Sequence, residues 1–260
     1  MKPVLAIRNR LGMLLPVAAS HENRGVALFD LDQTLHPWDT QLLFCNWILR
    51  AEPLRRLYLL LFLPALPLAK VLGSEGMKRI FLSFLWGMRR ERLEELVREF
   101  VAHIIPAICY DDLLEELVKE NMKGRRVILV SASPEFYVKP IGDALGVDAS
   151  FGTRVEFGTS VPLFPDFTGG NNKGAVKVAR LKEELGIAGP QPDSAGYSDS
   201  KADLPMLELC EEITAVNPEG SFERRAEEKG WRILRPARPY RDRRAFGWRC
   251  LRQMCGFDRV

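Results

Sequence analysis

The chain has 260 residues, 47% of them hydrophobic and 27% charged. That length suits one large domain or one domain with an insert. The composition excludes wholesale disorder, a collagen-like repeat and a polytopic membrane protein. The five cysteines (Cys45, Cys109, Cys210, Cys250 and Cys255) are an odd number without a C-x-x-C pair. Neither a disulfide framework nor a zinc ribbon is expected, and a reducing compartment is the default. The net charge of +3 hides an asymmetry: residues 231–260 carry nine arginines against Asp242 and Asp258, so the remainder is mildly acidic. A basic end on an acidic body points to an anionic partner, membrane or nucleic acid.

At the start of the chain, Lys2, Arg8 and Arg10 precede an apolar run, residues 11–19, that closes on Val17-Ala18-Ala19-Ser20. This has the features of a short secretory signal with a small-residue cleavage site. The brevity of the run and Pro16 within it suit a surface-lying leader equally. Val26-Ala27-Leu28-Phe29 is a short apolar run ending on Asp30, read as a buried parallel strand feeding a polar loop. Residues 40–122 read as helical. Asp39 or Thr40 can cap a helix carrying Leu42, Leu43, Phe44, Trp47 and Ile48. Residues 91–105 are amphipathic, with Leu93, Leu96, Val97, Phe100 and Val101 on one face, and residues 111–122 repeat the pattern.

After Gly124, residues 127–130 form a second strand ending on Ser131. Ser133 is expected to cap a helix with Pro134 at its first position. Residues 155–167 read as strands with turns, 169–172 as a loop and 175–185 as a helix. A third strand, 195–198, ends on Asp199, and 213–216 and 231–234 supply two more. Strands alternating with helices predict an α/β fold with a doubly wound parallel sheet, Rossmann-like, interrupted between its first two strands by a helical insert. The domain plan is a leader (1–24), a catalytic core (25–40 and 123–237), an insert (41–122) and a basic tail (238–260).

Three strands thus end on Asp30, Ser131 and Asp199, and ligands bind outside the carboxyl ends of strands in open α/β sheets. Asp32 follows Asp30 at the spacing that returns a side chain to the same side of an extended chain. Asp203 follows Asp199 by one helical turn, and Lys173 lies in a glycine-bearing loop before a helix. Carboxylates from two strand ends make a hard-oxygen site suited to Mg²⁺. A lysine and a serine beside it can hold phosphate oxygens, so together they suit phosphoryl transfer. Taken singly, an aspartate at a strand end is more often a turn or cap residue.

Asp30-Leu31-Asp32-Gln33-Thr34 resembles the D-x-D-x-T signature of the haloacid dehalogenase-like phosphohydrolases. Ser131 is similar to their second motif and Lys173 to their third. Residues 197–205, Tyr-Ser-Asp-Ser-Lys-Ala-Asp-Leu-Pro, resemble the fourth as it stands in the phosphoserine phosphatase-like branch. The resemblance covers residues 25–235 and implies that the insert is a helical cap of the C1 type. It implies Asp30 as the nucleophile that forms an aspartyl-phosphate, and Asp32 as general acid and then base. Thr34 would orient the loop beside the phosphate, with Ser131 and Lys173 holding the phosphoryl oxygens. Asp30, the backbone carbonyl of Asp32, and Asp199 would bind Mg²⁺, with Asp203 assisting directly or from behind. An acid at Asp32 favours a phosphatase over a dehalogenase. Gln33 departs from the glycine common at its place, and Ser198 stands where many relatives have another small residue.

The cap carries thirteen uncharged residues, 57–69, flanked by Arg55 and Arg56 and by Lys70. The run is too short to span a bilayer but fits an interfacial or re-entrant segment, bent at Pro64 and Pro67. A buried cap helix is the plainer alternative. The tail interleaves Arg241, Arg243, Arg244, Arg249 and Arg252 with Tyr240, Phe246 and Trp248, which suits an anionic lipid surface. No nucleic-acid-binding motif accompanies it. Within the family the combination resembles the phosphatidylglycerophosphatase C type, through His36 after Thr34-Leu35 and through Leu85-Trp86-Gly87. The expectation is a lipid phosphomonoester as substrate, and peripheral attachment at the inner, cytoplasmic face of a membrane. The competing expectation is a soluble phosphoserine- or phosphocholine-like substrate. An exposed 57–69 patch would favour the first and a buried one the second. His36 is expected at the site entrance or simply solvated.

Overall fold

The computed structural model describes residues 25–259; the signal-or-leader expectation falls on residues outside these. Seven strands form one sheet in the order β4-β3-β2-β1-β5-β6-β7. They are β1 (Val26–Phe29), β2 (Arg126–Pro134), β3 (Ala149–Glu156), β4 (Asp166–Thr168), β5 (Ala195–Ser198), β6 (Glu212–Val216) and β7 (Arg232–Leu234). Every pairing is parallel except β3 with β4. The doubly wound α/β expectation holds, with β4 added as an antiparallel edge.

The helices are α1 (Thr40–Ala51), α2 (Leu59–Ala65), α3 (Ala69–Phe81), α4 (Arg90–His103), α5 (Ile105–Ile108), α6 (Asp111–Met122), α7 (Glu135–Leu145), α8 (Ala175–Leu185), α9 (Leu204–Leu207), α10 (Ser221–Glu228) and α11 (Arg243–Met254). Side chains of the central strands alternate between two cores, which is why their sequences are apolar throughout. Ala27, Phe29, Val127 and Leu129 face the layer that includes α1, α4, α6 and α7. Leu28, Ile128 and Val130 face Leu181, Met206, Leu207 and Phe222 on the other side. Phe29 stacks on Tyr197 at 4.1 Å, fixing β1 against β5.

Two local features differ from the sequence reading, and both position the site. Ser133 does not cap a helix: β2 runs through Pro134, which itself precedes α7. The ladder with β3 is interrupted between Val130 and Pro134, which frees Ser131, Ala132 and Ser133 to turn into the crevice. A Cβ on Gly152 of β3 would lie 2.6 Å from the Ser133 carbonyl, so only glycine lets the two backbones approach there. The second feature is α6, the last element of the 41–122 insert. It packs on the sheet: Glu116 accepts from Tyr197 Oη at 3.1 Å and from both terminal nitrogens of Arg232 on β7.

The apolar cap segment is exposed, not buried. Leu57 is 65% exposed, Leu60 72% and Leu68 54%, while Phe62 is buried against Tyr58 and Phe81. Prolines at 64 and 67 do not stop the helical turns, which continue from Leu59 into α3 with a kink at Gly73. The segment nevertheless doubles back, since Phe62 meets Phe81 at 5.1 Å and Tyr58 meets Phe84 at 5.8 Å. By length and composition alone Pro53–Leu85 could cross a membrane, and only 17% of its most apolar window is buried. The basic tail folds as α11 against α1. Tyr240 and Phe246 pack on Trp38, and Asp258 joins Asn46 to Arg249.

Candidate active site

The carboxyl ends of β1, β2 and β5 meet at a cavity of about 280 Å³. Its walls include Asp30, Asp32, Ser133, Lys173, Lys177, Asp199 and Asp203 from the core, and Ser74 and Lys78 from the cap. The β1 loop turns sharply after Asp32 because Gln33 adopts φ 60°, a left-handed conformation natural to glycine and costly for glutamine. Thr34, fully buried, ties two loops together: its Oγ1 lies 3.1 Å from Asp30 Oδ2 and accepts the Asp199 N–H at 3.0 Å. It acts there as a brace between the aspartates and is not part of the cavity wall.

The lysine that meets the nucleophile candidate is Lys177. Its Nζ lies 2.6 Å from Asp30 Oδ1 and 2.9 Å from Asp203 Oδ1, and the side chain is 1% exposed. Burial alone would lower its pKa, but the two carboxylates outweigh burial and raise it, so it stays charged. Lys173 sits exposed at the cavity edge. The loop pattern singles out Lys173, whereas Lys177 lies inside the helix that follows. The available signal was its place on the apolar side of α8, four residues before Leu181.

Asp32 is held by donors. Oδ1 accepts the Thr40 N–H at 2.6 Å and the Thr40 hydroxyl, and Oδ2 accepts Ser133 Oγ at 2.7 Å. Ser131 Oγ is 3.4 Å from Oδ2 and accepts the Ser133 N–H. Ser133 therefore lines the cavity and Ser131, fully buried, stands behind it. His36 is neither solvated nor at the entrance. It is fully buried, with Nδ1 accepting the Trp38 N–H, which leaves Nε2 to donate to Thr40 Oγ1 at 3.1 Å. Burial lowers its pKa, which keeps the ring neutral. Thr40, Ser133 and His36 were not predicted in these roles. Their contacts join residues adjacent only once β1, α1 and β2 are assembled.

Burial and then the neighbouring carboxylates raise Asp30 well above the usual range, against the pull of Lys177. Burial and Asp203 raise Asp199 to about 7. One ammonium among three carboxylates leaves the cluster under-neutralised. Among the described residues no three acidic, histidine or cysteine side chains converge on a single point. The wall presents hard carboxylate oxygens that fit Mg²⁺: Asp30, with Oδ1 on Lys177 and Oδ2 on Thr34, and Asp199, whose Oδ1 lies 3.3 Å from Thr34 Oγ1. The side chain of Asp32 is turned to Thr40 and Ser133. Asp203 is also occupied, with Oδ1 on Lys177 and Oδ2 accepting Ser198 Oγ at 2.8 Å. In this arrangement Asp32 holds the hydroxyls and Asp203 positions Lys177.

The family model for haloacid dehalogenase-like hydrolases matches residues 27–208. The chain belongs to the haloacid dehalogenase-like hydrolases. This hydrolase is 34% identical over 169 residues to a histidinol-phosphatase of Neisseria meningitidis serogroup C, covering 63% of this chain and 75% of that protein. It is 31% identical over 227 residues to an inhibition of morphological differentiation protein of Streptomyces azureus, covering 84% and 80%. Among solved structures, a Bordetella pertussis Tohama I protein of unknown function matches with a TM-score of 0.70 at 25% identity, over 82% of this chain and 99% of that one. A substrate-bound phosphoserine phosphatase matches with a TM-score of 0.55 at 17% identity, over 82% and 93%, a likeness of fold.

Proposed function

We propose that this hydrolase is a Mg²⁺-dependent phosphomonoester phosphatase that acts through an aspartyl-phosphate on Asp30. Its substrate in this reading is a lipid phosphate such as phosphatidylglycerophosphate, taken at the inner face of an anionic membrane. Asp30 attacks phosphorus, the P–O bond to the alcohol breaks, and Asp32 gives the departing oxygen its proton. Asp32 then takes a proton from water as the water attacks phosphorus, which releases inorganic phosphate and frees Asp30. The Thr40 and Ser133 hydroxyls can donate to ionised Asp32 or accept from protonated Asp32, so both states are served. Lys177 offsets charge that builds on the phosphoryl oxygens, and Asp203 with Ser198 fixes its position. Asp30 and Asp199 would hold the magnesium, which when bound neutralises phosphoryl charge.

One observation carries the lipid reading. Helix α3 has exposed Val71 and Leu72 on one side of Gly73, and Ser74 and Lys78 in the catalytic cavity on the other. An apolar surface thus runs up to the mouth of a polar site, an arrangement suited to a substrate with its phosphate in the cavity and its acyl chains outside. The second reading, a soluble small-metabolite phosphatase, is favoured by the similarity to the Neisseria histidinol-phosphatase. The test is release of phosphate by the purified chain with Mg²⁺ from phosphatidylglycerophosphate in vesicles, histidinol phosphate and phosphoserine. Higher kcat/KM on the lipid supports the first reading, and higher kcat/KM on either soluble ester replaces it with the second.

A further inference from the structure

Lys78 is a charged side chain that the cap, not the core, sends into the catalytic cavity. Its Nζ donates to the Ala132 carbonyl at 2.7 Å and to Asn171 Oδ1 at 2.8 Å. Both acceptors are neutral, and among the described residues Lys78 has no ion pair. Lys177, by contrast, is bound by two carboxylates. An ammonium lodged between two carbonyl oxygens has a third N–H to offer; burial lowers its pKa to about 8, and the carboxylates of Asp39 and Asp32 favour the charged form. Ala132 lies between Ser131 and Ser133, and Ser133 bonds Asp32. Lys78 therefore stands on the side of the site where the departing oxygen takes its proton, while Lys177 stands at Asp30, where phosphorus is attacked. The neighbouring wall, with Asp39, Gln41 and Ser74, is polar. A hydrocarbon alcohol seated there would strip these groups of water without replacing their hydrogen bonds.

Building on the phosphatase reading, we propose that Lys78 determines specificity for the alcohol half of the substrate. It binds a second anionic group, carboxylate or phosphodiester, that the alcohol carries close to the ester oxygen. Phosphomonoesters of such anionic alcohols are the substrate class, whether the second anion belongs to a soluble acid or to a lipid head group. Glu75, one turn before Lys78, accepts the Asn171 N–H at 3.2 Å, so α3 is seated on the 169–172 loop at two points and holds the ammonium in place.

The test uses the full chain with Mg²⁺ and two matched pairs of esters. The soluble pair is 3-phosphoglycerate and glycerol 3-phosphate, which differ by a carboxylate. The lipid pair, in vesicles, is phosphatidylglycerophosphate and phosphatidic acid, which differ by a phosphodiester. The wild-type chain is expected to favour the anionic member of at least one pair by tenfold or more in kcat/KM. Lys78→Met should lower kcat/KM for that member at least tenfold more than for its neutral counterpart, and Lys78→Arg should retain the preference. If Lys78→Met does not fold, Lys78→Gln replaces the charge while keeping amide donors for the two carbonyl oxygens. A preference confined to one pair supports the proposal and identifies the source of the second anion. Equal losses on both members, or no wild-type preference in either pair, overturns the role of Lys78 while leaving the phosphatase reading intact. Hydrolysis of none of the four esters while histidinol phosphate or phosphoserine is turned over overturns the role of Lys78 alone, and hydrolysis of none of the six overturns the phosphatase reading with it.

Discussion

Lys177 Nζ lies 2.6 Å from Asp30 Oδ1, one helical turn beyond the lysine that the loop pattern singles out. The two lysines make separable predictions. Lys177→Met removes the cation from the nucleophile and leaves two buried carboxylates facing each other. Turnover should fall about 10² to 10³-fold, the scale seen when one charge-stabilising donor is removed. Stability should fall by about 3 kcal/mol, as when one partner of a buried ion pair is deleted. Lys173→Met, at the exposed edge, should cost less than about tenfold in kcat/KM on the same scale of single donors. Steady-state kinetics with thermal melts would check both, and a larger loss in Lys173→Met would return the role to that residue.

Asp30 and Asp32 should fail differently. Asp30→Asn should abolish turnover, because an amide is a poor nucleophile. Asp32→Asn keeps a side chain able to bond Thr40 and Ser133 but cannot transfer the proton, so kcat should drop by about 10² to 10⁴-fold. Rapid-quench measurement with a good leaving group should find phosphate retained on the protein in Asp32→Asn and absent in Asp30→Asn. A tenth of wild-type activity surviving in Asp30→Asn would remove Asp30 as nucleophile.

The parts of this site that could be read from the sequence are those set by strand ends. Asp30, Ser131 and Asp199 each close an apolar run, and a parallel sheet brings such ends together whatever the intervening chain does. Asp39 as the cap of α1 was equally legible, and its carboxylate does accept the Leu42 N–H. The residues that escaped depend on distance across the fold. Lys78 arrives from a cap helix 93 positions before its partner Asn171. Ser133 looks like a helix cap until the bulge in β2 turns its hydroxyl to Asp32. The tail showed its charge but not its packing. Arg238 and Arg243 meet Glu219, and Arg249 and Arg252 meet Asp258. Those pairings follow from where α11 docks, which no local pattern encodes.

Metal removal should be reversible. Asp30 and Asp199 repel each other at the cavity wall, and a divalent cation relieves that repulsion. Activity should vanish in excess EDTA and return with Mg²⁺. Magnesium should also raise the melting temperature of the wild-type chain, and do so less in Asp199→Asn. Full activity in EDTA would exclude the metal assignment.

Glu116 makes stability depend on acid pH. It is 3% exposed and, although burial would raise its carboxyl, the paired bonds from Arg232 with those from Lys119 and Tyr197 hold it down at about 2. A folded value below the ordinary 4.5 means that the unfolded chain binds the proton more readily. The stabilisation is therefore complete above about pH 4.5 and is lost as pH falls toward 2. Glu116→Gln should be less stable than wild type at pH 7 and should show a shallower decline between pH 4.5 and 2, read from urea melts across that window. An unchanged slope would mean that Glu116 does not carry this dependence.

The membrane prediction follows the exposed side chains. Truncating the tail would confuse the test, because Tyr240 and Phe246 pack on Trp38 and the Arg249 guanidinium lies 4.0 Å over the same ring. Phe62 is likewise a core residue. The informative changes are Leu57→Ser with Leu60→Ser, and Gln at Arg241, Arg244 and Arg259, which are exposed and without ion pairs among the described residues. Each basic residue near an anionic surface contributes about 1 kcal/mol. The triple arginine variant should thus bind anionic vesicles about 100-fold more weakly at low salt, with little change on neutral vesicles and a flatter salt dependence. The leucine variant should bind both kinds of vesicle more weakly at any salt, since apolar burial is not screened. Hydrolysis of a small soluble ester should be unchanged in both variants. Vesicle flotation measures all of these. A wild-type chain that stays in the soluble fraction with anionic vesicles at low salt would remove the membrane-surface reading and leave the soluble phosphomonoester as the substrate.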